Sequence, residues 1–288
     1  MLDVTDLERV VVLGCGYAGA AVARLARDRG LHVLAHVRSD ARAATLRGES
    51  VEVLQLAVLD PSSPAFAKEL RAMDRRTLVV VAFPPDGSTD ARIAPLLAHA
   101  AGITYISSTG VYREHRGLVD DATPVPSGPP TNERAAKILA AEAAYRAQGG
   151  TVLRCPGIYG RDRGLHVRVV KGEHRIPGDG TRFLSRIHVE DLAQLVLASG
   201  EGHARSETYV VGDLEPAPHL DVVRFIAEAY GVPLPPFVPL ESVHESLRAD
   251  RRVDGSRALA TFAVTPRYPT YREGMTPSAT GLAPRAAP

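Results

Sequence analysis

Val10-Val11-Val12-Leu13-Gly14-Cys15-Gly16-Tyr17-Ala18-Gly19 is the stretch that decides the fold. Four apolar residues read as a short buried strand. A Gly-x-Gly-x-x-Gly turn follows, and then an alanine-rich helix to about Arg29. Each glycine answers a separate steric demand. Gly14 permits the tight turn off the strand, Gly16 leaves the backbone open to a pyrophosphate, and Gly19 lets helix and strand pack closely. The first N–H groups of that helix and the positive end of its dipole then face the phosphates. Cys15, Tyr17 and Ala18 lie in the same turn and belong to the expected binding surface.

Working outward, strand-like and helix-like segments alternate. Leu31–Val37, Val51–Leu56, Thr77–Ala82, Ile103–Ser107 and Thr151–Cys155 read as strands. Helices are expected over Asp40–Arg47, Pro64–Met73, Asp90–Ala100 and about Asn132–Ala147. Continuous apolar runs such as Thr77–Ala82 suit strands covered on both faces, so the alternation predicts an α/β fold, a Rossmann-type doubly wound parallel sheet. A long loop from Ser108 to Pro130 interrupts the series. After Gly157 the pattern changes: helices are expected over Leu165–Lys171, from the Arg186–Leu192 stretch to Ser199, and over Leu220–Tyr230, with a strand at Thr208–Val211 and a turn at Ile176–Gly180. This predicts a dinucleotide-binding domain over 1–160 and a smaller substrate region over 161–275 that sends elements back to it. Thr276–Pro288, mostly small residues and proline, reads as a poorly ordered tail.

Composition narrows the class. The chain has 288 residues with 45% hydrophobic and 23% charged content, an ordinary globular balance. A net charge of +1 supplies no overall basic field for nucleic acid, and no apolar run reaches membrane-spanning length. The two cysteines, Cys15 and Cys155, make neither a disulfide framework nor a metal spacing. With the charged Asp3, Asp6, Glu8 and Arg9 at the start, they fit reduced thiols in a cytoplasmic protein. No metal is expected.

The cofactor is read at the end of the second strand. An acidic residue about 20 positions beyond the glycine turn binds the ribose 2′-hydroxyl of NAD. Here that place holds Arg38, with Ser39 beside it and Arg42 one helical turn on. A guanidinium matches a 2′-phosphate with two N–H groups, so NADP is expected in preference to NAD. Asp60, Ala82 and Phe83 end neighbouring strands and are expected along the same groove.

Tyr105-Ile106-Ser107-Ser108-Thr109-Gly110-Val111-Tyr112 resembles the extended short-chain dehydrogenase/reductase superfamily. Leu153–Gly160 and Arg186–Ala193 resemble general signatures of that superfamily, and Tyr268–Gly274 resembles its atypical NAD(P)-dependent epimerase/dehydratase-like subgroup. The likeness spans about residues 9–275. It implies an enzyme that transfers hydride at a carbonyl or carbinol carbon of a small molecule, and pairing into a homodimer. A Ser orients the substrate oxygen, a Tyr moves the proton, and a Lys four residues after the Tyr lowers its pKa and holds the ribose. By the resemblance Ser108 and Lys137 fill two of these places. The Tyr place holds Glu133, whose ordinary pKa lies about six units below that of a phenol. Glu133 reads either as a first-turn acid paired with Lys137 or as a substitute acid/base, and Tyr112 is the other candidate proton donor. Cys155 and Pro156 would border the nicotinamide. Arg161, Arg163 and Tyr159 follow the last strand at the mouth of the crevice, and His188 and Asp191 read as loop-fixing residues. The missing Tyr leaves two rival readings: an NADP-binding sensor that has lost catalysis, and a lyase or isomerase that uses its cofactor without net turnover.

Overall fold

The computed structural model describes residues 7–112, 115–126, 133–200, 206–243 and 247–283. Seven strands form one parallel sheet: β1 (Arg9–Leu13), β2 (His32–Val37), β3 (Glu52–Gln55), β4 (Thr77–Val81), β5 (Gly102–Ser108), β6 (Thr151–Cys155) and β7 (Thr208–Val210). Their spatial order is β7-β6-β5-β4-β1-β2-β3. The order reverses between β1 and β4, which pair from Arg9–Thr77 to Leu13–Val81. A crevice therefore opens beyond the carboxyl ends of these two strands, the place where such sheets bind ligands.

Val10 and Val12 point to one face of the sheet, and Val11 and Leu13 to the other. The first pair joins a core with residues of α1 (Tyr17–Asp28), α2 (Asp40–Gly48) and the helix Val189–Gly200. The second pair joins a core with Phe66 of the helix Pro64–Ala72, with Ile93, and with Tyr145 of the helix Glu133–Arg146. Burial on both faces is why these strands read as unbroken apolar runs. A third core gathers Tyr159, Val169, Ile176, Val222, Ile226, Tyr230 and Tyr271 around the helices Leu165–Val170 and His219–Tyr230.

Several expected elements differ in detail. The helix expected over Asp90–Ala100 is a short α-helix, Thr89–Ile93, followed by a tighter 3-10 turn, Ala94–Leu97. Pro95 supplies no N–H to a continuing α-helix. Ile176-Pro177, expected in a turn, is a short strand paired with Phe237-Val238. Within the long loop, Gly117–Val119 pairs with Arg251–Val253, so distant parts of the chain close over one another. Part of the expected poorly ordered tail differs: Pro277–Thr280 is helical, and buried Thr280 exchanges a 2.6 Å hydrogen bond with the Tyr230 hydroxyl. Residues 284–288, Asp3, Asp6 and the expected helix start at Asn132 lie outside the described residues. Among the described residues no helix is long and apolar enough to cross a membrane.

Among the described residues five histidines are buried: His36, His166, His174, His188 and His219. Burial lowers the pKa of each, to about 3 for His174 and about 4 for His188 and His219. They stay neutral in the folded state and gain protons only in the unfolded one near 6.5. Each therefore contributes stability that is full above pH 6.5 and is lost as pH falls toward its folded value, for His174, His188 and His219 by about 1.4 kcal/mol per pH unit down to about pH 4. Asp213, pushed up to about 7 by burial, opposes one of them, because its protonated form is the better buried one. Denaturant unfolding should show a loss of several kcal/mol between pH 7 and pH 5. A flat profile would contradict the burial of these rings.

Candidate active site

The glycine turn is built as its spacing requires. Gly14 has φ +86°, and a Cβ there would sit 2.5 Å from the Phe83 Cβ and 2.6 Å from its backbone N. A Cβ at Gly19 would come within 2.9 Å of Val12 Cγ1 and 3.0 Å of the Gly14 carbonyl oxygen. At Gly16 a Cβ would meet nothing nearer than 4.0 Å, so this glycine faces open space. Gly16 is also the N-cap of α1, and no side chain caps that end. An uncapped helix start beside an open backbone fits a pyrophosphate, whose oxygens would accept from these amides.

His36, which sequence reasoning did not single out, holds this turn. Its Nδ1 accepts the Gly14 N–H at 3.2 Å, and its Nε2–H donates to the Leu56 carbonyl at 3.0 Å. The His36 carbonyl accepts the Cys15 N–H at 2.7 Å. The two ring contacts require the neutral tautomer protonated at Nε2, in keeping with the lowered pKa. A buried histidine inside an otherwise apolar strand was the signal for it.

Arg38 is exposed just past β2. Ser39 caps α2, its hydroxyl accepting the Arg42 N–H at 3.4 Å. Asp60 turns back on its own loop and accepts the Ser62 N–H at 2.9 Å. Ala82 and Phe83 are half-buried at the end of β4, with Phe83 packed on Gly14. Tyr17 lies under the Arg163 guanidinium, 4.8 Å from ring centre, and burial pushes its hydroxyl up to about 12. Burial likewise pushes the Cys15 thiol up to about 12 and raises that of Cys155, so neither is a ready nucleophile.

Ser108, Cys155 and Pro156 line one cavity of about 900 Å³, beyond β5 and β6. The Ser108 Oγ accepts the Gly110 N–H at 3.0 Å. Lys137 reaches past Gly87, whose Cβ position would lie 3.3 Å from the Lys137 Cε. Its Nζ pairs with Glu133 at 2.6 Å. The Glu133 side chain is 82% exposed, and the lysine contact lowers its pKa. This corrects the substitute acid/base reading, since such a group needs a raised pKa and a place in the cavity, and Glu133 has neither.

Tyr112 is corrected too. It is fully buried, and its hydroxyl accepts the Arg154 Nη1–H at 2.6 Å. Arg154 also donates twice to Glu142, at 2.9 and 2.6 Å, and Glu142 accepts the Ser107 hydroxyl at 2.6 Å. This buried network ties β5, β6 and the helix Glu133–Arg146 together directly behind Ser108.

The remaining signature residues are engaged within the fold. His188 stacks on Tyr268, and Asp191 accepts the backbone N–H groups of Arg267 and Tyr268 at 2.6 and 3.0 Å. Arg161 donates to the Thr280 carbonyl at 2.9 Å, and Tyr159 is buried in the third core. Among the described residues no cluster of three or more His, Cys, Asp or Glu could hold a metal.

A parallel sheet whose order reverses beside an uncapped glycine turn defines a Rossmann-type α/β protein, with the fold of solved proteins described as NAD-dependent epimerases/dehydratases. Comparisons agree at that level. The chain is 28% identical to a Streptomyces 3-diazoavenalumate denitrifying reductase, covering 93% of this chain and 99% of that protein. A functionally unknown conserved protein from Silicibacter pomeroyi superposes with a TM-score of 0.76 at 28% identity, covering 93% of this chain and 96% of that one. A putative NAD-dependent epimerase/dehydratase from Methylobacillus flagellatus shares the fold, with a TM-score of 0.69 at 23% identity over 93% and 96%. No family model matches the chain.

Replacing His36 by Leu should raise the dissociation constant for a reduced nicotinamide dinucleotide about tenfold. It strands the Gly14 N–H and the Leu56 carbonyl, each worth about 1–3 kcal/mol if left unsatisfied. Equilibrium titration of the variant checks this, and unchanged affinity would remove His36 from the binding apparatus.

Proposed function

We propose that the chain is an NADP-dependent oxidoreductase that moves hydride between the nicotinamide and a small organic substrate. The open face at Gly16 beside the uncapped start of α1, with Arg38 just past β2, carries this reading. Arg38 would pair with the 2′-phosphate, while the α1 amides hold the diphosphate. Lys137, anchored by Glu133, would donate to the ribose. Ser108 Oγ would orient the reacting group at the cavity wall, where Cys155 and Pro156 exclude water from one side. The dinucleotide, when bound, supplies the hydride.

With Glu133 salt-bridged and Tyr112 buried, neither serves as the proton carrier. A carbonyl substrate would therefore take its proton from another group at the cavity, such as His115, or from water. A diazonium group replaced by hydride releases N₂ and needs no proton at all. The reductase named for the Streptomyces relative supports the reduction direction over epimerisation. The withdrawal of Glu133 and Tyr112 also favours a second reading, a protein that binds NADP without turning it over.

Two measurements test the proposal. NADPH should bind at least tenfold tighter than NADH, and Arg38→Ala should erase that preference; equal affinities in the unaltered protein would overturn the NADP assignment. Deuterium from 4-deuterated NADPH should appear in a reduced product when the protein is offered carbonyl and diazonium compounds. Absence of transfer across that panel would favour the binding-only reading.

A further inference from the structure

The cavity beside Ser108 differs in charge from the molecule around it. The whole chain carries +1, yet seven arginines line this cavity against two aspartates, Asp162 and Asp250. The arginines come from separate parts of the fold. Arg134 stands in the first turn of the helix Glu133–Arg146, Arg168 on the helix Leu165–Val170, and Arg116 just before the strand Gly117–Val119. All three are exposed, and none forms an ion pair among the described residues.

Arg186 is the buried member of the group. Its side chain is 5% exposed and still lines the cavity. Its Nη2–H donates to the Leu184 carbonyl at 2.9 Å, while Nη1 has no hydrogen-bond partner. The nearest carboxylate, on Asp213, stays 3.8 Å from Nη1, and neither of its oxygens is hydrogen-bonded. Nη1 is shut off from solvent beside Asp213, so Arg186 contributes to the cavity wall through its charge and not through a free N–H. Some exposed arginines elsewhere are answered by acids, as Arg257 is by Glu207 and Arg272 by Glu215. In the cavity the positive groups converge on empty volume, where concave low-dielectric walls focus their field.

We infer that the substrate is an organic anion, held by its carboxylate or phosphate group among these arginines, with Arg134 and Arg168 at the rim and Arg186 at the wall. The inference rests on the oxidoreductase reading and names the substrate class for it. A carboxylic acid and a phosphate ester present the same planar or tetrahedral oxygen pair to a guanidinium fork. The anion serves to position rather than to react: with one end fixed, the reducible group is presented toward Ser108 and Pro156. A molecule without the charge would lose both the attraction into the cavity and the fixed orientation.

The test uses the full chain saturated with NADPH, so that the cofactor's own phosphates are already in place. Calorimetric titration compares benzoate with benzamide, and phenyl phosphate with phenol; uridine diphosphate serves as a larger phosphate probe. At least one anion should bind tenfold or more tighter than its uncharged partner. The gap should narrow as salt is raised, because the charged rim is solvent-accessible. Arg134→Ala and Arg168→Ala should each weaken that anion three- to tenfold, and Arg224→Ala, outside the cavity, should not. Tight binding of benzoate alone assigns a carboxylic acid, and of the phosphates alone a phosphate ester. Equal binding of charged and uncharged partners, no anion binding to the NADPH-loaded protein, or indifference to both arginine changes would overturn the inference while leaving the cofactor reading intact. Failure of NADPH itself to bind would instead overturn the cofactor reading, and the same anion series on the free protein would still decide this one.

Discussion

The structure depends on a contact that only a residue without a side chain allows. At Gly14 the backbone passes so close to Phe83 that a Cβ would lie within 2.8 Å of three of its atoms. This approach joins the end of β1 to the end of β4 where the strand order reverses. Gly19 repeats the constraint one helical turn later, against Val12 and the Gly14 carbonyl. Together they fix the direction in which α1 leaves the sheet, and so the place its uncapped N–H groups face. His36 braces the turn from β2 through neutral ring nitrogens, linking the loop to the Leu56 carbonyl beyond β3. The cradle is therefore held from three strands at once, which keeps an otherwise permissive glycine backbone in one conformation.

A second constraint lies behind the cavity. Glu142 and Arg154 form a buried, doubly hydrogen-bonded pair that also engages Ser107 and Tyr112. Removing one partner of such a pair leaves an unanswered buried charge, at a cost of about 3–5 kcal/mol. Its position explains why Tyr112 is unavailable for chemistry. The phenol serves the arginine that aligns β5 with β6, and that alignment sets Ser108 beside Cys155. The cavity thus keeps Ser108 at its wall and Lys137 near Gly87, while neither Glu133 nor Tyr112 opens onto it.

The strands and the glycine turn were legible because their signals are local. An apolar run, three spaced glycines and a helix-forming stretch each report on adjacent residues. The likeness carried by Tyr105–Tyr112 and Tyr268–Gly274 agreed with the fold of the solved neighbours. What sequence did not give was long-range pairing. That His36 would brace Gly14, that Tyr112 would face Arg154, and that Arg161 would hold the Thr280 carbonyl all depend on approaches across 22 to 119 residues. The helix at Pro277–Thr280 was hidden for the same reason: small residues and prolines resemble a disordered end, and the contact that buries Thr280 against Tyr230 is long-range. Glu133 carried two readings until its exposure and its pairing with Lys137 were seen. The convergence of arginines on one cavity is likewise invisible in a chain whose charges sum to +1.

The central claim is that the turn at Gly14–Gly19 holds a nicotinamide dinucleotide at the reversal of the sheet. Adding the purified protein to NADPH while following nicotinamide fluorescence tests it most directly. The account predicts a saturable change reaching completion at one equivalent per chain, abolished when Gly16, the one open glycine of the three, is replaced by Val. No change on addition of the protein, or a change unaltered by that replacement, would contradict it.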